Sequence, residues 1–234
     1  MSSPDGCQAA RSRGPPSLRS AAALLLLLPL LPPPAAAAPL PLAAGPDSSG
    51  EAEPEEAGAR RAALPDCEAL AWLLHARAAR LQEEMCEKFT VCENSMEMLV
   101  QNNLNLPKVT EEDGCLLAGF DEEKCLKKLS SGLFTFQTYL EYVQETFTSE
   151  KQKVESLCYS TKHLATTIRQ MVINPDEVVI PDSATQKSLL TKLKSDKTWI
   201  EKITTHLILR DFTSFMEKTV RAVRYLKNTR SVSV

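Results

Sequence analysis

The side chains able to do covalent or ligand chemistry in this chain are seven cysteines and three histidines. His75, His163 and His206 lie far apart on stretches that read as three different helices. No serine or cysteine nucleophile stands beside any of them, and no HExxH or GxSxG motif occurs. The eight glycines form no phosphate-cradling loop. Neither an enzyme nor a bound cofactor is expected.

The cysteines read as structural. Cys7 falls in a leader, leaving Cys67, Cys86, Cys92, Cys115, Cys125 and Cys158. An even set in an exported chain implies disulfides, although six cysteines allow fifteen connectivities by count. Spacing favours two short loops, Cys86–Cys92 and Cys115–Cys125, each worth about 2–3 kcal/mol by loop-closure entropy. Zinc is the weaker reading, because no CxxC pair or neighbouring histidine supports it, and no metal site is expected.

Export is read from the N-terminus. Arg11, Arg13 and Arg19 precede the apolar run Ala21–Leu31, which is followed by Pro and Ala residues. Such a leader is too short to span a bilayer and reads as a secretory signal over 1–44, with cleavage between about 38 and 46. Residues 45–64 carry glutamates, Ala, Gly and Pro and read as a disordered acidic tail. Residues 65–234 then form one helical domain. Losing 1–44 removes three Arg and one Asp and changes the formal charge from −3 to −5. An acidic domain argues against nucleic acid as partner, and no later segment is apolar enough for membrane insertion.

Hydrophobic spacing gives four main helices and no sheet. Asp66 is placed to cap the first, whose buried stripe is Leu70, Leu74, Ala78, Leu81 and Met85. Asp121 caps the second, in which Leu126, Leu129, Leu133, Phe136, Leu140, Val143 and Phe147 alternate steps of three and four. Ser149 and Gln152 read as a capping box for a third helix running to about Ile173. The last, about 196–227, buries Ile208, Phe212, Phe215, Thr219, Ala222 and Leu226. Its other arc carries Trp199, Ile203, Arg210, Glu217, Arg221 and Arg224. His206 falls on that outward side, as a structural or solvated residue.

Two long connections and one short one make the best arrangement an all-α, up-up-down-down four-helix bundle with two long crossovers. That topology puts Arg221 and Arg224 near the Cys115–Cys125 loop and Phe120, and Trp199 near the Cys86–Cys92 loop. It also puts Cys67 and Cys158 too far apart to bridge, leaving two free thiols.

Segments QNNLNLPK (101–108), DGCLLAGFDEEKCL (113–126), YLEYVQ (139–144), LLTKL (189–193) and TTHLILRDF (204–212) together resemble the interleukin-6 family of long-chain helical cytokines. The divergent first helix and the Tyr225–Val234 extension suggest a non-mammalian, avian form. The resemblance implies a secreted, extracellular ligand that binds an interleukin-6 receptor alpha chain and then glycoprotein 130, triggering JAK/STAT signalling in immune, inflammatory and acute-phase responses. The alpha-receptor surface maps to Phe120, Glu217, Arg221 and Arg224, with Leu116 standing where the family carries an aromatic. Signalling-receptor contacts map to Trp72, Leu73, Ser160 and His163, and on a further surface to Leu99 and Trp199. A second class of function is a secreted bundle carrying an apolar ligand between its helices. The many core phenylalanines disfavour it.

Overall fold

The computed structural model of the chain describes the backbone of residues 54–92, 100 and 104–232. The expected signal over 1–44, the first part of the tail and Leu99 lie outside the described residues. Five α-helices have defined bounds among the described residues: α1 (Pro54–Phe89), α2 (Glu122–Thr146), α3 (Lys151–Met171), α4 (Ser183–Leu193) and α5 (Thr198–Val232). Among the described residues there is no strand. No helix among the described residues is long and apolar enough to cross a membrane.

Direction follows from side-chain pairs. Glu68 in the first half of α1 pairs with Arg224 and Lys227 near the end of α5, while Lys202 at the start of α5 lies over the Phe89 ring at the end of α1. These two helices are therefore antiparallel. Lys153 and Glu84 pair at 2.8 Å, and Arg77 Nη1 donates to Ser156 Oγ at 3.2 Å, so α3 also runs against α1. Ser130 Oγ donates to Ala165 O across α2 and α3, and the hydroxyls of Thr146 and Thr205 meet at 2.7 Å across α2 and α5. With α1 parallel to α2 and α3 parallel to α5, the arrangement is the expected up-up-down-down bundle.

Every apolar position of the stripe from Leu126 to Phe147 is buried, as are Val154, Leu157, Leu164, Ile168 and Met171 of α3 and Ile208, Phe212, Phe215, Ala222 and Leu226 of α5. The Phe136 ring sits 5.1 Å from Phe212 and 5.2 Å from Phe215, so aromatic rings fill the bundle's middle. Gly132 makes this approach possible. A Cβ there would stand 2.4 Å from Phe215 Cζ, so the ring packs directly on the α2 backbone. Asp121 does cap α2, accepting the Lys124 N–H at 3.0 Å.

Three local expectations are corrected. α1 begins at Pro54 rather than after Pro65, so residues 54–64 are helical and not part of a disordered tail. Pro65 removes one intrahelical hydrogen bond, but Leu64 is only 1% exposed and its burial in the core offsets part of that cost. The Ser149 capping box does not form: Thr148–Glu150 makes a single 3-10 turn and Glu150 stands at the cap without a side-chain bond. Ser149 Oγ instead accepts from Lys88 Nζ at 3.2 Å, joining this turn to the end of α1. Leu70 is half-buried rather than central to the stripe, which Ala71 and Cys67 complete.

Candidate functional site

Disulfides join Cys86 to Cys92 and Cys115 to Cys125, with Cα separations of 5.3 and 4.8 Å. The second loop positions Phe120. Gly114 takes φ 70°, where its Cβ-free backbone lets the Asp121 Cβ approach to 2.8 Å of where a Cβ would be, and Asp121 N–H donates to Gly114 O at 2.9 Å. With Cys125 in the first turn of α2, this folds the end of the crossover against the end of α5. The Phe120 ring lies 4.6 Å from that of Tyr225. Further back, Lys218 Nζ donates to Val109 O at 2.7 Å and Tyr139 Oη to Asn105 O at 3.2 Å, strapping the crossover onto α5 and α2.

The structure gathers Phe120, Glu217, Arg221 and Arg224 at one end. Arg221 pairs one turn along α5 with Glu217, and both remain exposed. Arg224 Nε donates to Glu68 Oε1 at 2.8 Å, and Lys227 takes the other carboxylate oxygen. Hydrogen bonds from Lys227 and then Arg224 hold the Glu68 carboxyl below its ordinary range. The Arg224 guanidinium also lies over the Trp72 ring, 5.7 Å from its centre. Trp72 is 47% exposed, and His75 meets it edge-on at 5.7 Å.

Leu73 is exposed beside Trp72. The register set by Glu84–Lys153 and Arg77–Ser156 brings Ser160 and His163 of α3 level with Trp72 and Leu73 of α1. These four residues thus share one height on the bundle. The sequence reading missed Tyr159 in this region. It is 77% exposed, far more than an ordinary tyrosine needs, and an aromatic on the polar arc of α3 was the signal available.

Trp199 stands at the other end, 40% exposed in the first turn of α5. It borders a groove of about 880 Å³ with Leu104 and Asn105 of the crossover, Leu189 of α4 and Ile200 of α5. Leu99, its expected companion, lies outside the described residues.

Two residues of the outward arc of α5 are not outward. Ile203 and His206 are each 3% exposed. At this end the arc is covered by the end of α1 and the loop that Cys86–Cys92 closes: His206 Nδ1 lies 3.8 Å from Cys86 Sγ and 3.6 Å from Cys92 Sγ. Cys67 and Cys158 are free and buried. Burial first, with Asp66 adding, pushes the Cys67 thiol up to about 11. Burial first, with Glu141 adding, pushes Cys158 up to about 12. Both thiols therefore stay protonated and inert.

Residues 39–226 match the family described as the Interleukin-6/G-CSF/MGF family. The chain is 82% identical over 197 residues to interleukin-6 of Gallus gallus, spanning 84% of this chain and 81% of that protein. It is 40% identical over 191 residues to interleukin-6 of Saimiri sciureus, spanning 80% and 88%. A chain from a solved structure titled crystal structure of a cytokine/receptor complex shares the fold, with a TM-score of 0.60 and 24% identity over 70% of this chain and 96% of that one. The expected avian likeness is thus met: the chain belongs to the Interleukin-6/G-CSF/MGF family and stands much nearer the chicken protein than the monkey one.

Proposed function

We propose that this cytokine-family chain is secreted and acts by binding energy alone, engaging an interleukin-6 receptor alpha chain and then glycoprotein 130 to start JAK/STAT signalling. Phe120, Glu217, Arg221 and Arg224 form the alpha-receptor surface. Trp72, Leu73, Ser160 and His163 form one signalling-receptor surface, and Trp199 with Leu99 another. The observation that carries this reading is the exposure of Trp72 with the Arg224 guanidinium over its ring and of the Arg221–Glu217 pair one turn before Arg224 on α5. Aromatic and arginine side chains with such access are the usual anchors of protein interfaces. The closely packed rings of Phe136, Phe212 and Phe215 argue against a carrier with an apolar cavity between its helices.

Pull-down of the folded mature chain with soluble interleukin-6 receptor and glycoprotein 130 ectodomains tests the proposal. Capture of the alpha receptor, and of glycoprotein 130 in its presence, is expected. Failure with both would overturn it.

A further inference from the structure

We infer that Cys86, Cys92 and His206 form a latent site for a soft, four-coordinate cation such as Zn²⁺, closed while the cysteines are oxidised and open once they are reduced. The residues are 114 and 120 positions apart along the chain, which hid the cluster from a motif search. In the fold their three donor atoms lie within 4.8 Å of one another.

The geometry fits the ion. With Zn–S near 2.3 Å and Zn–N near 2.0–2.1 Å, a tetrahedral centre separates sulfur from nitrogen by about 3.5 Å and the two sulfurs by about 3.8 Å. His206 Nδ1 already stands 3.6 and 3.8 Å from the two sulfurs. Only the sulfurs must move apart, and their Cα atoms at 5.3 Å allow that by side-chain rotation. The backbone is set for it: Thr90 takes φ 53° and its N–H donates to Cys86 O at 2.9 Å, turning the chain back at the end of α1 so that Cys92 faces Cys86.

The chemistry balances. A dithiol reductant gives two electrons and two protons to the disulfide and becomes a disulfide itself. Zn²⁺ then displaces the two thiol protons and accepts a lone pair from neutral Nδ1. Two thiolates cancel the charge of the ion, so the centre adds no net charge beside the buried imidazole. Cys92 is exposed, so the fourth position faces solvent and takes water. The ion would then tie the end of α1 to α5 when the covalent link is absent.

The test uses the folded mature chain treated with a dithiol reductant, mass mapping to show that Cys86 and Cys92 are reduced, and circular dichroism to follow the helices. Reductant is removed anaerobically before Co²⁺, and separately Zn²⁺, is added. One equivalent of cobalt is expected to give thiolate-to-cobalt and tetrahedral d–d absorption, and zinc to displace it. Both bands should be lost in Cys92→Ser and in His206→Gln, and absent from the oxidised chain. Bands that persist in either variant, a reduced chain that keeps its helices yet binds no cobalt, or helices lost on reduction and not restored by the metal would each overturn the inference.

Discussion

The guanidinium carbon of Arg224 lies 5.7 Å from the centre of the Trp72 ring, joining the C-terminal end of α5 to an exposed aromatic on α1. Arg224 and Trp72 belong to two different proposed receptor surfaces, so those surfaces share an edge. In a Trp199→Phe background, Arg224→Ala should shift or brighten Trp72 emission as well as weaken alpha-receptor binding by about tenfold or more, the scale of an interface anchor. Unchanged emission would show that the contact does not persist in solution.

Glu68 is the second member of this clasp. Its carboxyl is held low by Lys227 and Arg224, so the unfolded chain binds its proton at higher pH than the folded one does. The stabilisation is therefore complete above the unfolded value of about 4.3 and is lost as pH falls through the lower folded value. Glu68→Gln is expected to cost about 1 kcal/mol at pH 7, with the difference from the parent vanishing in strong acid. Urea unfolding of both chains between pH 7 and pH 2 reads it; a difference that grew in acid would contradict the pairing.

What could be read before folding, and what could not, follows from the range of each interaction. The α2 stripe from Leu126 to Phe147 was legible because steps of three and four put every member on one arc, and all are buried. The start of α1 was hidden because Pro65 and an Ala-rich, Glu-rich stretch carry no clear periodicity, while Leu64 finds its partners only in the assembled core. His206 looked outward on a helical wheel because the residues that cover it come from the other end of the sequence. Within the candidate surfaces, Trp72 and Trp199 could be picked out as apolar residues off the buried stripes, whereas Leu73 was suggested only by the family resemblance. Their neighbours depended on helix direction: the Arg224–Trp72 contact needs α1 and α5 to be antiparallel and in this register.

Gly132 offers a test of the packed middle. Alanine would raise the helix propensity of α2 by up to about 1 kcal/mol, but its Cβ would meet Phe215 Cζ at 2.4 Å and Cε2 at 2.8 Å. Overpacking of this kind costs about 1–3 kcal/mol, so Gly132→Ala should lower stability by about 1 kcal/mol net. Combining it with Phe215→Leu, which vacates the ring, should bring coupling between the two changes in a double-mutant cycle. Simple additivity would mean that the ring does not sit on the α2 backbone.

The two unpaired thiols give the last prediction. Cys67 and Cys158 are buried, and their pKa values near 11 and 12 leave almost no thiolate at pH 8. Thiolate is the species that alkylates, so both should resist iodoacetamide in the native chain and react only through unfolding. The Arg77–Ser156 and Glu84–Lys153 pairs put Cys158 level with the stretch of α1 just before Arg77, about two helical turns beyond Cys67, so no bridge between them is expected. Non-reducing mass mapping with alkylation before and after denaturation should find no label in the native chain and both residues labelled once it is unfolded. A Cys67–Cys158 bridge would contradict the helix register, and fast native labelling of Cys158 would contradict its burial against the interior.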